Sequence, residues 1–358
     1  ITAGDSPIRV RYWPGDEEGR DRVSDAMEAG VPALAEFTGL EWPVSGTLLV
    51  RETVAPNLFG YAGWYLPTED QIEMGEMLDE HVIVHETAHA WFNTDLFDSR
   101  WINEGLANTA AAHVLAEEFD EEIAPEPVRG SRARVALNAW TDPDFADEDN
   151  DEVEEFGYNA SWFVVDAIVG EIGPEGLQAV LAAATGDEIA YVGAVEPESV
   201  DPVDDWRRFL DLVEEVGGAE GATELFDDHV IVAADRDAFE ARIEARDEFR
   251  ALVEAGGGWA APALIRIPMA EWEFSAASDA IDEAEAALVV RDAVIAAAAG
   301  LDLEPGPAME QAYESSDWSL NRAVAIAEAE QAALTALAAA EARVGADRHS
   351  YVERGLRD

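Results

Sequence analysis

Five consecutive residues, His85-Glu86-Thr87-Ala88-His89, carry the side chains best suited to chemistry in this chain. Two imidazoles four positions apart on a helix share one face, one turn apart, so both can reach a single metal ion. The glutamate beside them can polarise a metal-activated water. Catalytic zinc takes three protein ligands and keeps a fourth position open. Glu104, in Trp101-Ile102-Asn103-Glu104-Gly105-Leu106-Ala107, is the candidate third ligand, provided a following helix returns it to the pair. The pattern therefore points to Zn2+ held by His85, His89 and Glu104, with Glu86 as general base. His81, one turn before His85, is the rival ligand, but its place at a helix start beside Asp79 and Glu80 suits an exposed or supporting role. His113 lies more than two turns beyond Glu104 and does not reach the same ion. His229 and His349 are isolated and read as surface residues. Asn108, one turn after Glu104, is placed to brace a ligand imidazole.

The run Val84-His85-Glu86-Thr87-Ala88-His89-Ala90-Trp91-Phe92, followed by Trp101 to Ala107, resembles the zinc site of the gluzincin metallopeptidases. It is most similar to the aminopeptidase N-like branch, whose stretches have the form HExxHxWF and WLNEGFA. The resemblance implies zinc roles for His85, His89 and Glu104 and a general-base role for Glu86. It also implies an oxyanion role for Tyr158, because Tyr158-Asn159-Ala160-Ser161 and the apolar run behind it partly match that branch's Tyr-x-Lys-Gly helix start. The spacing from the second histidine to the glutamate is shorter than that branch usually has. No GAMEN-type motif, which holds a substrate's amino terminus there, precedes the box, so exo- and endopeptidase action both stay open, with a lean to the latter.

The elements that must position these residues read as follows. Ile8 to Trp13 alternates as a strand, and Asp16 to Thr38 has helical apolar spacing around Pro32. Gly46 to Val54 is a second strand. Ala62 to Leu66 and Gln71 to Met74 form a hairpin around Pro67-Thr68-Glu69-Asp70. By the resemblance this hairpin is the edge on which a peptide backbone adds as a strand. Helices are expected over Asp79–Asn93, Trp101–Phe119, Ser131–Trp140, Phe156–Ile172, Glu175–Ala184, Trp206–Glu215, Asp235–Ala255, Trp272–Ala299 and Leu320–Arg343. The acidic run Asp142–Glu155 reads as a solvated loop; Asp142, Asp144 and Asp147 lack the spacing of a calcium loop. The expected class is α+β: a small N-terminal mixed sheet with thermolysin-like zinc-site helices, then a mostly α-helical C-terminal half. Three parts are expected: 1–155 with the zinc site, 156–255 completing the catalytic domain, and 256–358 as an Ala-rich helical domain beginning at Gly256-Gly257-Gly258.

Composition sets the surroundings. The chain has 358 residues and a formal charge of −55, from 77 acidic and 22 basic residues. Every basic residue is arginine. Such a charge repels itself unless salt screens it, and in molar salt the Debye length falls to about 3 Å. A high-salt environment and a salt-loving source are expected. A GC-rich genome accounts for the missing lysine but not for the acid surplus. The charge opposes binding to nucleic acid or an anionic membrane surface. No cysteine is present, which excludes disulfides, thiolate zinc sites and thiol catalysis. No membrane span is expected; the start at Ile1 suggests a trimmed chain or a removed leader, and an extracellular or cell-envelope location is expected. The expected function is a zinc metallopeptidase acting on a peptide or protein substrate, its oligomeric state open. Its alternatives are a non-catalytic surface or assembly protein that keeps a gluzincin fold, and a zinc hydrolase of a non-peptide amide.

Overall fold

The computed structural model describes residues 1–4, 6–54, 61–76, 79–128, 131–142, 151–191, 193 and 204–355, with side chains to 349. Asp144 and Asp147 of the acidic run lie outside them. The protein is α+β, a small mixed sheet at the N-terminus followed by mostly helical structure. The strands are β1 (Thr2–Ala3), β2 (Ser6–Arg11), β3 (Leu48–Glu52), β4 (Gly63–Leu66) and β5 (Gln71–Met74). Their order in the sheet is β1-β2-β3-β5-β4. β2, β3 and β5 run parallel, and β4 pairs antiparallel with β5, Gly63 opposite Met74 and Leu66 opposite Gln71. The expected hairpin is therefore present, and it places β4 at the end of the strand order.

Two compact units divide the chain, Ile1–Ala190 with Ser199–Arg236, and Tyr191–Glu198 with Asp237–Asp358. In the first unit, α1 (Glu17–Thr38) forms a single helix through Pro32 and closes on Gly39, whose φ of 67° suits a residue without Cβ. α1 packs on α2 (Glu80–Ala88) and on α3 (Arg100–Glu118). Val23, Met27 and Leu34 of α1, Ile83 and Val84 of α2, and Ile102, Leu106 and Val114 of α3 are buried in this part. α4 (Asp151–Thr185) lies against α3 and breaks at Gly173, where φ is 70° just before Pro174. It starts five residues earlier than the apolar pattern predicts, its first turn carrying Asp151, Glu152 and Glu154, acids that favour a helix N-terminus. α5 (Trp206–Asp211) and α6 (Ala222–His229) complete the unit.

The expected helix over Ser131–Trp140 is not there; only Leu137–Ala139 makes a short 310 turn. Tertiary bonds hold that segment instead. Asn138 accepts from the Trp101 indole at 3.2 Å, donates to Asp235 at 3.0 Å, and its backbone N–H meets the Val230 carbonyl at 3.1 Å. Each of these competes with a helical turn.

The second unit contains most of α7 (Arg236–Gly256), then α8 (Ala263–Ala270), α9 (Phe274–Ala299), α10 (Ala308–Glu314) and α11 (Asn321–Gly355). Gly256-Gly257-Gly258 sits inside this unit, ending α7, with φ of 63° and 111° at the last two. Val294, Ala298, Met309, Ala327 and Leu334 form its core cluster with Trp259 against them. α8 and α10 were too short to show a helical period. Among the described residues one helix is, by length and composition only, long and apolar enough to cross a bilayer: the stretch Asn321–His349 has an 18-residue window of mean hydropathy 1.3, only 11% buried. Alanine raises that average while Glu328, Glu330 and Gln331 interrupt any continuous apolar run, which is why a search for uninterrupted stretches passes over it.

The α3–α4 crossing is the tightest constraint near the motif. A Cβ on Gly105 would fall 2.6 Å from the Ser161 carbonyl oxygen and 2.5 Å from a Val165 methyl. Only glycine at 105 lets α4 approach, one residue beyond Glu104. Gly105→Ala is expected to destabilise the fold by about 1–3 kcal/mol, read as a lower denaturant midpoint in molar salt; an unchanged midpoint would show that the two helices separate freely.

Candidate metal centre

α2 begins on Asp79, whose side chain accepts from the Val82 N–H at 2.8 Å. The apolar pattern predicts this helix to run on to Asn93, but it ends at Ala88 with His89 as its C-cap. The chain then tightens through i→i−3 bonds, Ala90 N–H to Thr87 and Trp91 N–H to Ala88. Asn93 donates to the carbonyls of His89 and Ala90 at 3.0 and 3.1 Å, satisfying groups a helix end leaves open.

This early ending has a chemical result. It carries the Phe92 carbonyl to 2.8 Å from His89 Nδ1. A carbonyl only accepts, so Nδ1 bears the hydrogen and, in the neutral ring, Nε2 has the lone pair. That Nε2 lies 3.1 Å from His85 Nε2. Glu104 Oε2 completes the group, 3.2 Å from His85 Nε2 and 3.4 Å from His89 Nε2. A tetrahedral ion with bonds of about 2.0–2.1 Å has ligand–ligand edges of about 3.3 Å. The three distances match those edges. The donor set, two imidazoles and one carboxylate, also fits zinc. Among the described residues these three form the one group of His, Asp and Glu that could hold a metal ion. Sequence spacing and structure thus bring the same three residues together.

Electrostatics follow from burial. Burial lowers His85 to about 4. It pulls His89 down as well, but the Glu104 carboxylate outweighs it, and His89 is pushed up to about 9. Burial alone would raise Glu104; the adjoining His89 and His85 hold it well below the usual carboxylate range. The field of Glu104 already gathers positive charge at the place a cation would occupy.

Glu86 is buried, and burial raises it to about 7. The Tyr65 backbone N–H donates to its carboxylate. Across from it stands Gly63, the first residue of β4, where a Cβ would lie 2.6 Å from Glu86 Cγ. Glycine at 63 is what leaves room for the acid. Glu86 and His85 line a cleft of about 740 Å³, together with Tyr61, His81, Tyr158 and Trp162. Tyr158 is drawn into this setting by α4; burial and then the Glu104 charge raise its phenol well above the ordinary value.

The remaining histidines do not join the three-residue group. His81 lines the cleft and stacks on Trp162, ring centroids 6.0 Å apart, with the His85 ring also 6.0 Å away. Asn108 donates to the Glu104 carbonyl at 3.0 Å, so it braces the helix turn that carries Glu104 rather than a ligand imidazole. His113 pairs with Glu117 at 3.4 Å and packs on Phe37. His229 packs on Phe163, and His349 is exposed. Sequence reasoning missed the Phe92 brace, the Gly63 clearance and Tyr61. Of these only glycine is a signal in a sequence, and it named no partner.

Compared with protein-family models, curated proteins and solved structures, the chain matches none of them.

One zinc ion per chain is expected by calorimetric titration of the chelator-stripped protein. His85→Ala, His89→Ala or Glu104→Ala should each weaken it by more than about tenfold, whereas His81→Ala and His113→Ala should leave it intact. Equal affinity in the first set would dismiss the centre.

Proposed function

We propose that the protein is a zinc-dependent peptidase of the gluzincin kind, with thermolysin-like zinc-site helices in α2 and α3. The observation that carries the reading is the mutual approach of His85 Nε2, His89 Nε2 and Glu104 Oε2, 3.1–3.4 Å apart, beside a cleft that the buried Glu86 also lines. Bare imidazole nitrogens repel at that distance unless a proton or a cation lies between them. His85, His89 and Glu104 would hold Zn2+, which when bound supplies Lewis acidity toward a carbonyl oxygen and lowers the pKa of a water toward neutrality.

The chain's own residues do the rest. Glu86, buried beside the three ligands and lining the cleft, would take a proton from the attacking water and return it to the leaving amine nitrogen. Tyr158 donates its phenol hydrogen to the oxyanion that develops on the scissile carbonyl. β4 ends the strand order beside Glu86, so an extended peptide pairing along it passes the base. Phe156 and Val128 line the same cleft and offer apolar surface to a substrate side chain.

Incubation with a mixed peptide library in molar salt should yield cleavage that stops with a chelator and returns with zinc. Glu86→Gln should retain zinc and lose about 10²–10⁴ in kcat. Gly63→Ala, which crowds Glu86, should also keep zinc while turnover falls. Stoichiometric zinc with an uncut library would instead favour a binding protein, and cleavage confined to non-peptide amides would change the substrate class.

A further inference from the structure

We propose that Arg100 is a positioning residue for Tyr158: clamped by Glu154, its guanidinium holds the phenol oxygen as an acceptor and leaves the phenol hydrogen for the cleft. Use of that hydrogen on an oxyanion rests on the peptidase reading; the clamp itself does not.

Arg100 opens α3, one turn before Glu104. A cation in the first turn opposes the helix dipole, so its position needs another reason. The hydrogen bonds give one. Nη1 donates to Glu154 Oε1 at 3.0 Å and to the Thr141 carbonyl at 2.9 Å. Nη2 donates to Glu154 Oε2 at 2.7 Å and to the Tyr158 hydroxyl oxygen at 3.2 Å. The first pair of contacts with Glu154 is a two-point fork, which fixes the plane of the guanidinium. Guanidinium nitrogens have no lone pair to offer, so at the fourth contact Tyr158 accepts, and its own hydrogen is not consumed.

The fork is itself held. Glu154 Oε2 accepts from the Tyr61 hydroxyl at 2.6 Å and Oε1 from the Trp140 indole at 2.7 Å. The Trp140 ring lies under the guanidinium, 4.0 Å from it, and stands edge-on to the Tyr158 ring at 5.1 Å. Gly157 permits this stack, since a Cβ there would fall 2.2 Å from Trp140. Every contact of the fork therefore adds to the rigidity of one phenol, and that phenol lines the cleft with His85 and Glu86. Tyr158 and Glu154 share a helix turn, so the fork ties the start of α4 to the start of α3.

Two readouts test this. In the zinc-loaded protein, Tyr158→Phe should lose about 10²-fold in kcat. Arg100→Gln should lose roughly tenfold or more through misplacement of the phenol, with KM changed less than threefold. In the Tyr158→Phe background, Arg100→Gln should then cost less than about twofold more, the signature of a residue acting through another. Independently of turnover, 3-fluorotyrosine at position 158 in the metal-free protein should show a 19F shift displaced by Arg100→Gln and by Glu154→Gln but not by Arg207→Gln on α5. Multiplicative losses in the cycle, or a fluorine signal indifferent to Arg100, would overturn the proposal. If the wild type cuts nothing, the peptidase reading falls and the fluorine result alone decides the clamp.

Discussion

Two imidazoles and a carboxylate are held in mutual contact within a buried space, and most of the surrounding structure is explained by what that contact requires. Unpaired, a largely enclosed Glu104 would be costly, and so would two imidazoles pressed nitrogen to nitrogen. The arrangement depends on α2 and α3 holding their places against one another. α1 packs against both helices, and α4 closes on α3 at Gly105. The ligands are thus set by packing around them more than by any bond between them.

The end of α2 shows the same dependence at smaller scale. A longer helix would keep the Phe92 carbonyl within the helical ladder and away from His89 Nδ1. Ending the helix at Ala88 and turning the chain with Asn93 frees that carbonyl to fix the tautomer of the ring. The strand side works by subtraction: Gly63 contributes the absence of a side chain, and Glu86 fills the space.

What was legible in the sequence was local. His85, His89 and Glu86 are tied by the helical period, and Glu104 by a short connection, so their convergence needed no knowledge of distant partners. The α+β class and the hairpin were likewise readable from period and turn residues. What stayed hidden depends on separation along the chain. Arg100 and Glu154 are 54 residues apart and Tyr61 and Glu154 are 93 apart, in a chain where an acidic residue is the least informative letter. Ser131 to Trp140 has the composition of a helix, but Asn138 is bound by partners from α3 and from the segment around Asp235. Phe92 acts through its backbone, which every residue possesses. The Gly256-Gly257-Gly258 cluster announced a break that turned out to be a helix ending within one unit.

The all-arginine character of the chain has an electrical consequence at Tyr158. A lysine in place of Arg100 could give up its proton in so enclosed a setting; guanidinium cannot. Burial works against the charge of Arg100, but Glu154 more than compensates, and Glu154 is in turn held below the ordinary carboxylate range by the same contact. Both members of the fork therefore keep their charges from mildly acidic to strongly alkaline solution, and the phenol beside them faces a constant potential.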